Sequence, residues 1–129
     1  MSFSLIDDAT QLQITRDLAE AAGRGINGSV DEIVTSFEHD LTHFLSLDPD
    51  LQREFQRGET ARVYGTALGD AFCRELGFSW QILEDDFGTD LIVASADGSK
   101  YTAPLVVVDA RFDDEEPGKL TTFVERFIG

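Results

Sequence analysis

The sequence predicts an α+β fold: N-terminal helices, a three-stranded antiparallel β-meander and a C-terminal helix, with a single layer of sheet packed on the helices. Three observations carry this. Apolar residues recur at spacings of three and four as far as Leu76, the period of an α-helix. From Phe78 the period shortens to two and β-branched and aromatic residues take over. The helical spacing then returns after Gly118. With 129 residues, 42% of them hydrophobic and no repeat or linker in view, the chain reads as one domain over residues 1–129.

Each element has a local reason. Asp8 to Ala22 carries Leu12, Leu18, Ala19 and Ala22, with Asp7 or Asp8 as N-cap and Gly23 as the stop. The glycines of 23–28 make a connector. Ser29 and Glu32 then form a capping box. Behind it, Val30, Ile33, Val34, Phe37, Leu41, Phe44 and Leu45 draw one wide apolar stripe on a long helix. Asp48-Pro49 opens a short helix toward Phe55.

A helix is expected from Thr60 to Leu76, stopped by Gly77, burying Ala61, Tyr64, Leu68, Ala71, Phe72 and Leu76. Gly65 and Gly69 lie on one side of it, each costing about 0.5–1 kcal/mol against alanine. Their use is close approach of another backbone, and the expected neighbour is the sheet.

Phe78, Trp80 and Ile82 alternate as a half-buried strand. Asp85 to Gly88 turns the chain, and Asp90 to Ala94, apolar on both faces, is expected to be the central strand. Asp97-Gly98 signals a two-residue hairpin. Lys100 to Asp109 is then the third strand, with Pro104 marking an edge or a bulge. Asp113 to Gly118 reads as a solvated acidic loop, and Lys119 to Ile128 as the last helix, with Leu120, Phe123, Val124 and Phe127 on its buried face.

Several of these residues together resemble a known pattern. The run Val63-Tyr64-Gly65-Thr66-Ala67-Leu68-Gly69-Asp70 leads to Trp80, then to Glu84-Asp85-Asp86-Phe87-Gly88-Thr89-Asp90, Tyr101-Thr102-Ala103-Pro104-Leu105 and Arg111. A helix with a Leu-Gly-Asp step, a Trp-bearing strand, an Asp-x-x-Gly turn, a Pro-Leu segment and an arginine resemble the bacterial family known as domain of unknown function 3806. The resemblance covers residues 50–127 and leaves 1–48 as a helical N-terminal part. It implies a fold and a bacterial origin, and no activity.

Charge bounds the partners. Twenty-five acidic against ten basic residues leave a formal charge of −15, one uncompensated negative charge per ~450 Å² of expected surface. Such a surface repels nucleic acid and anionic lipid and attracts a basic protein. No run approaches the ~20 apolar residues of a membrane span. The start carries no secretory pattern. A lone cysteine, Cys73, fits a reduced, cytoplasmic setting.

Four groups of residues are candidates for chemistry. His39 and His43 stand four apart, flanked by Glu38 and Asp40. The order differs from a zinc-protease helix, where glutamate follows the first histidine, and the pair is expected on the solvated flank. Asp85, Asp86, Gly88 and Asp90 lack calcium-loop spacing and are expected to serve the turn. Asp70 and Arg111 are expected to form a structural pair, with each other or with Glu84 or Asp90. Cys73 is a small core residue.

No phosphate loop, nucleophile elbow or paired-cysteine motif occurs, so neither catalysis nor a cofactor has support. The reading is therefore a small acidic, non-enzymatic interaction domain, in its specific form an inhibitor or immunity-type partner of a basic protein. Its ligand- or partner-binding residues are Trp80, Phe87, Tyr101, Arg111 and Asp70. Two alternatives stand beside it. One is a small-molecule pocket between meander and helices, lined by Trp80, Phe87, Tyr101 and Arg111. The other is a homodimer through the sheet face, should the final helix leave it uncovered.

Overall fold

Side-chain caps place the helix starts. Asp7 Oδ1 accepts from Thr10 N at 2.7 Å, the Ser29–Glu32 box closes in both directions, and Asp48 Oδ1 accepts from Leu51 N at 3.0 Å. In the computed structural model, which describes residues 1–129, the elements run β1 (Ser2–Leu5), α1 (Asp8–Gly23), α2 (Val30–Ser46), α3 (Pro49–Glu54), α4 (Arg57–Leu76), β2 (Ser79–Asp85), β3 (Gly88–Ala94), β4 (Tyr101–Thr102), α5 (Pro104–Ala110) and α6 (Lys119–Ile128), with a 3-10 turn at Arg111–Asp113 after α5. No helix is long and apolar enough to cross a membrane. The fold is α+β: six helices and one antiparallel sheet.

The sheet has four strands in the order β1-β2-β3-β4, not three. The extra one is β1, whose four residues pair with β2 from Ser2 opposite Glu84 to Leu5 opposite Gln81. So short a segment carries too little alternation to read as a strand. Residues directly opposite share a face. Trp80 and Val93 therefore point to one side with Thr102, while Ile92, Ala94 and Tyr101 point to the other. The central strand is apolar on both faces for this reason. Val93 joins the main core, and Ile92 and Ala94 join Leu83 in a second cluster against Phe3 and Ala103.

The third strand is where the sequence reading fails. Pairing stops after Thr102, and Pro104 is neither an edge nor a bulge residue but opens α5. Proline's fixed φ suits the first turn of a helix, where no N–H is needed. The run Leu105-Val106-Val107-Val108 favours a strand by propensity, and tertiary packing overrides it. A Cβ at Gly65 would stand 2.6 Å from Leu105 Cα, and one at Gly69 would stand 2.6 Å from Trp80 Cζ2 and 2.9 Å from Pro104 Cγ. The close approach inferred from the two glycines is real, but only part of it is to the sheet: Gly65 meets the backbone of α5, and Gly69 meets Trp80 of β2 and Pro104 of α5.

Smaller corrections follow. The Asp97-Gly98 step is the middle of a loop closed by Ser95 N donating to Lys100 O at 2.8 Å, rather than a two-residue hairpin. α4 starts earlier than Thr60, and Leu76 at its end is exposed rather than buried, beside the left-handed cap Gly77 at φ 71°. The main core collects α2, α4, α5 and α6 around Phe37, Tyr64, Phe72, Val108 and Leu120. Its aromatic seam runs Tyr64–Phe37–Phe112–Phe44 through edge-on contacts of 5.2–5.5 Å. The final helix does not cover the sheet; its Phe127 packs on Phe72 and Phe78.

Candidate functional site

The five residues singled out from sequence do not share one surface. Trp80 lies half-buried over Gly69 and Pro104, with its Nε1 buried and without a partner. Tyr101 points to the opposite face of the sheet, its ring edge-on to Phe3 at 5.3 Å. Asp70 pairs with Arg74 at 2.9 Å, one turn along its own helix. Arg111 Nε stands 3.2 Å from Asp114 Oδ2. The expected Asp70–Arg111 pair is thus absent, and neither residue reaches Glu84 or Asp90. Arg111 also draws Asp114 largely out of solvent, so the acidic loop is not solvated throughout.

The histidine motif is divided among neighbours. Glu38 Oε2 accepts from Thr121 N at 3.3 Å and from Thr121 Oγ1 at 2.8 Å. That carboxylate caps the start of α6, where the N-cap Gly118 has no side chain to do so. Asp40 accepts from the Tyr64 hydroxyl. His39 and His43 are left on the exposed side of α2. No group of three His, Cys, Asp or Glu converges anywhere in a metal-holding arrangement. Cys73 is half-buried, and burial, helped by Asp70 and opposed by Arg74, pushes its thiol up to about 11. It is a poor nucleophile at neutral pH.

One polar site escaped the sequence reading. Ser36, Asp40, Arg24, Thr60 and Tyr64 line a cavity of about 350 Å³. Ser36 and Asp40 sit one turn apart on α2, and both hold the Tyr64 hydroxyl. Burial first, and the Asp40 hydrogen bond second, raise the phenol well above its ordinary range. Tyr64 is therefore a fixed donor and not a base. The only sequence sign was the i, i+4 spacing of Ser36 and Asp40, and Tyr64 itself read as core.

The hairpin between β2 and β3 has a different character. Asp85 pairs with Gly88, so the loop is only Asp86-Phe87. Asp85 Oδ1 accepts from Phe87 N at 2.8 Å, which braces the turn, and Gly88 adopts φ 133°, a value L-residues avoid. Phe87 is 99% exposed. Glu84, Asp85, Asp86 and Asp90 flank it in the hairpin, all exposed and none in an ion pair. Asp85, Asp86 and Asp90, whose spacing is not that of a calcium loop, thus flank an exposed phenyl group together with Glu84.

Cations are distributed unevenly. Of the ten, Arg24, Arg53, Arg57, Arg62, Arg74 and Arg111 pair with carboxylates of the chain. Arg16, Lys100, Lys119 and Arg126 form no such pair, and the last two line with Arg111 a cleft of about 580 Å³ whose other walls are Thr122, Phe123 and Phe127. The two phenyl rings stack at 5.8 Å with 9° between their planes. Lys119 separates this cleft from the acidic loop at Asp113–Glu116.

A family model described as a domain of unknown function (DUF3806) matches residues 51–123, which take in the hairpin, α4, α5 and the start of α6. No curated protein and no solved structure matches the chain.

Proposed function

The chain belongs to the DUF3806 family, and from that premise we propose that it is a non-enzymatic interaction domain that meets a basic protein through the tip of the β2–β3 hairpin. The observation that carries the reading is Phe87, 99% exposed among four unpaired carboxylates. Full burial of a phenylalanine side chain is worth about 1.5–3 kcal/mol. Aromatic anchors that fill a partner's pocket dominate interfaces of this kind. The surrounding acids, and the net charge of −15 behind them, raise the encounter rate with a cationic surface and set its orientation. A two-residue loop braced by Asp85 holds the anchor in place, so little entropy is lost when it docks.

The specific form of this reading is an inhibitor of a basic enzyme, such as a nuclease toxin. Its support is the strong acidity together with the absence of a catalytic signature. The test is capture from a lysate of the source cells on immobilised wild-type protein, with Phe87→Ser and Asp85→Lys/Asp86→Lys run in parallel. The captured protein is then purified and its association rate measured from about 0.05 to 0.3 M salt. The expected result is a basic partner bound one to one, lost from both variants, with an association rate falling at least ~10-fold across the salt range. A partner that binds the variants as well as the wild type would remove the hairpin from the account.

A further inference from the structure

We propose that the cleft along α6 receives the hairpin tip of a second copy of this chain, so that the molecule self-associates head to tail. The proposal rests on the reading of Phe87 as an anchor and adds an occupant and a second surface.

The complementarity is present on one molecule. The tip offers an exposed phenyl group flanked in the hairpin by Glu84, Asp85, Asp86 and Asp90. The cleft offers two stacked phenyl rings, Phe123 and Phe127, beside Arg111, Lys119 and Arg126. Aromatic rings favour offset or edge-on neighbours at 4.5–7 Å, and a third ring against the Phe123–Phe127 stack meets that preference. The carboxylates of the tip would lie against the two cations of the cleft that have no carboxylate partner of their own. The Asp113–Glu116 loop at the far side of Lys119 repels the same carboxylates, which selects one orientation of the hairpin in the cleft.

A chain cannot fill its own cleft. Lys100 Nζ donates to Phe127 O at 2.8 Å and to Ile128 O at 3.1 Å. These bonds tie the end of α6 to the Ser95–Lys100 loop, at the C-terminal end of β3. The tip lies at the other end of that strand, whose seven residues span about 20 Å. The tip and the Phe127 end of the cleft therefore stand about 20 Å apart, a gap that a second molecule bridges and the hairpin of the same chain does not. Such an interface is heterologous: it does not close on itself after two copies, as a two-fold dimer does. It also differs from a dimer through the sheet face, because it uses neither flat face of the sheet. Two copies at −15 each repel at long range, but at ~0.15 M salt that field is screened within about 8 Å, and the facing charges of tip and cleft lie closer than this in the docked pair.

Sedimentation equilibrium decides it, with wild type, Phe87→Ser (knob removed), Arg126→Glu and Lys119→Glu (each a reversed cleft charge) at ~0.15 M salt. Wild type is expected to give a mass that grows with concentration past the dimer. Each variant alone is expected to associate at least ~10-fold more weakly. The decisive sample is an equimolar mixture of Phe87→Ser and Arg126→Glu. One intact cleft and one intact knob remain, so the mixture should recover a one-to-one dimer and stop there. The Lys119→Glu variant gives the same mixture test should Arg126→Glu fail to fold. A wild type that stays monomeric to about 1 mM, or a mixture no more associated than its components, overturns the proposal. Neither result alters the outcome of the capture experiment with a basic partner, so the two readings fail separately.

Discussion

Two regions of the chain handle exposed and excluded space in opposite ways. Along α4, Gly65 and Gly69 have given up their side chains so that Leu105, Pro104 and Trp80 can come within contact of the helix backbone. At the hairpin tip, Phe87 keeps a large apolar side chain where nothing in the molecule touches it. A residue that loses volume at a cost in helix propensity is there for the fold. One that keeps apolar surface in water adds little to the fold, and this contrast is what supports the proposal that the tip serves binding.

Substitutions should therefore separate the two regions. The largest effect is expected for Gly65→Ala. Its Cβ would meet backbone at Leu105 Cα, which cannot yield without moving α5. Overpacking costs about 1–3 kcal/mol and at times more; a clash with backbone belongs at or above the top of that range, so about 2–3 kcal/mol is expected to remain after the propensity gain of ~1 kcal/mol. Urea unfolding followed by the fluorescence of Trp80 measures it. Gly69→Ala should in addition shift the native emission of Trp80, because its Cβ would displace that ring.

Next comes Asp17, whose buried carboxylate accepts from Gln13 Nε2, Arg62 Nε and Thr66 Oγ1 and ties α1 to α4. Asp17→Ala strands the buried Thr66 hydroxyl and should cost about 1–3 kcal/mol in the same assay. Glu38→Ala removes the tertiary cap of α6 and should cost about 0.5–2 kcal/mol. Faster amide exchange confined to Lys119–Thr122 would show that the loss is local.

A weaker effect is expected from pH. Thr10 lowers Asp7, Arg57 lowers Asp113, and the hydrogen bonds from Ser99 and Ser95 hold Asp97 at about 2. A carboxylate depressed in the folded state stabilises it above the unfolded pKa of about 3.9, and that stabilisation is lost as pH falls through the folded value. Thermal stability should thus drop below about pH 4, with Asp97 the last of the three to protonate. Asp97→Asn should flatten the lowest part of that curve. The smallest effect on stability is expected for Phe87→Ser, within about 0.5 kcal/mol of wild type.

Where local chemistry decides an element, the sequence was readable. Asp7, the Ser29–Glu32 box, Asp48-Pro49 and Gly77 mark helix ends by groups a few residues apart, and the structure uses each of them. Residues 104–110 were misread because their β-branched run and their proline each permit two structures. The choice is made by glycines some forty residues earlier. β1 was missed because four residues gain order only by pairing with a strand far along the chain. The candidate site divides in the same way. Phe87 sits in a local turn with its acids and was named from sequence. Of the α6 cleft only Arg111 was named, because Phe123 and Phe127 read only as core-facing residues and nothing in the sequence ties Lys119 and Arg126 to Arg111. Asp70 and Arg111 each took a partner one helical turn away, a nearer solution than the long-range pair expected of them.

If Phe87 serves binding and not folding, the affinity of Phe87→Ser for the captured basic partner, measured on protein whose melting temperature matches that of the wild type, will show it. Binding is expected to be at least ~10-fold weaker at unchanged stability. Undiminished binding by the folded variant would contradict that role.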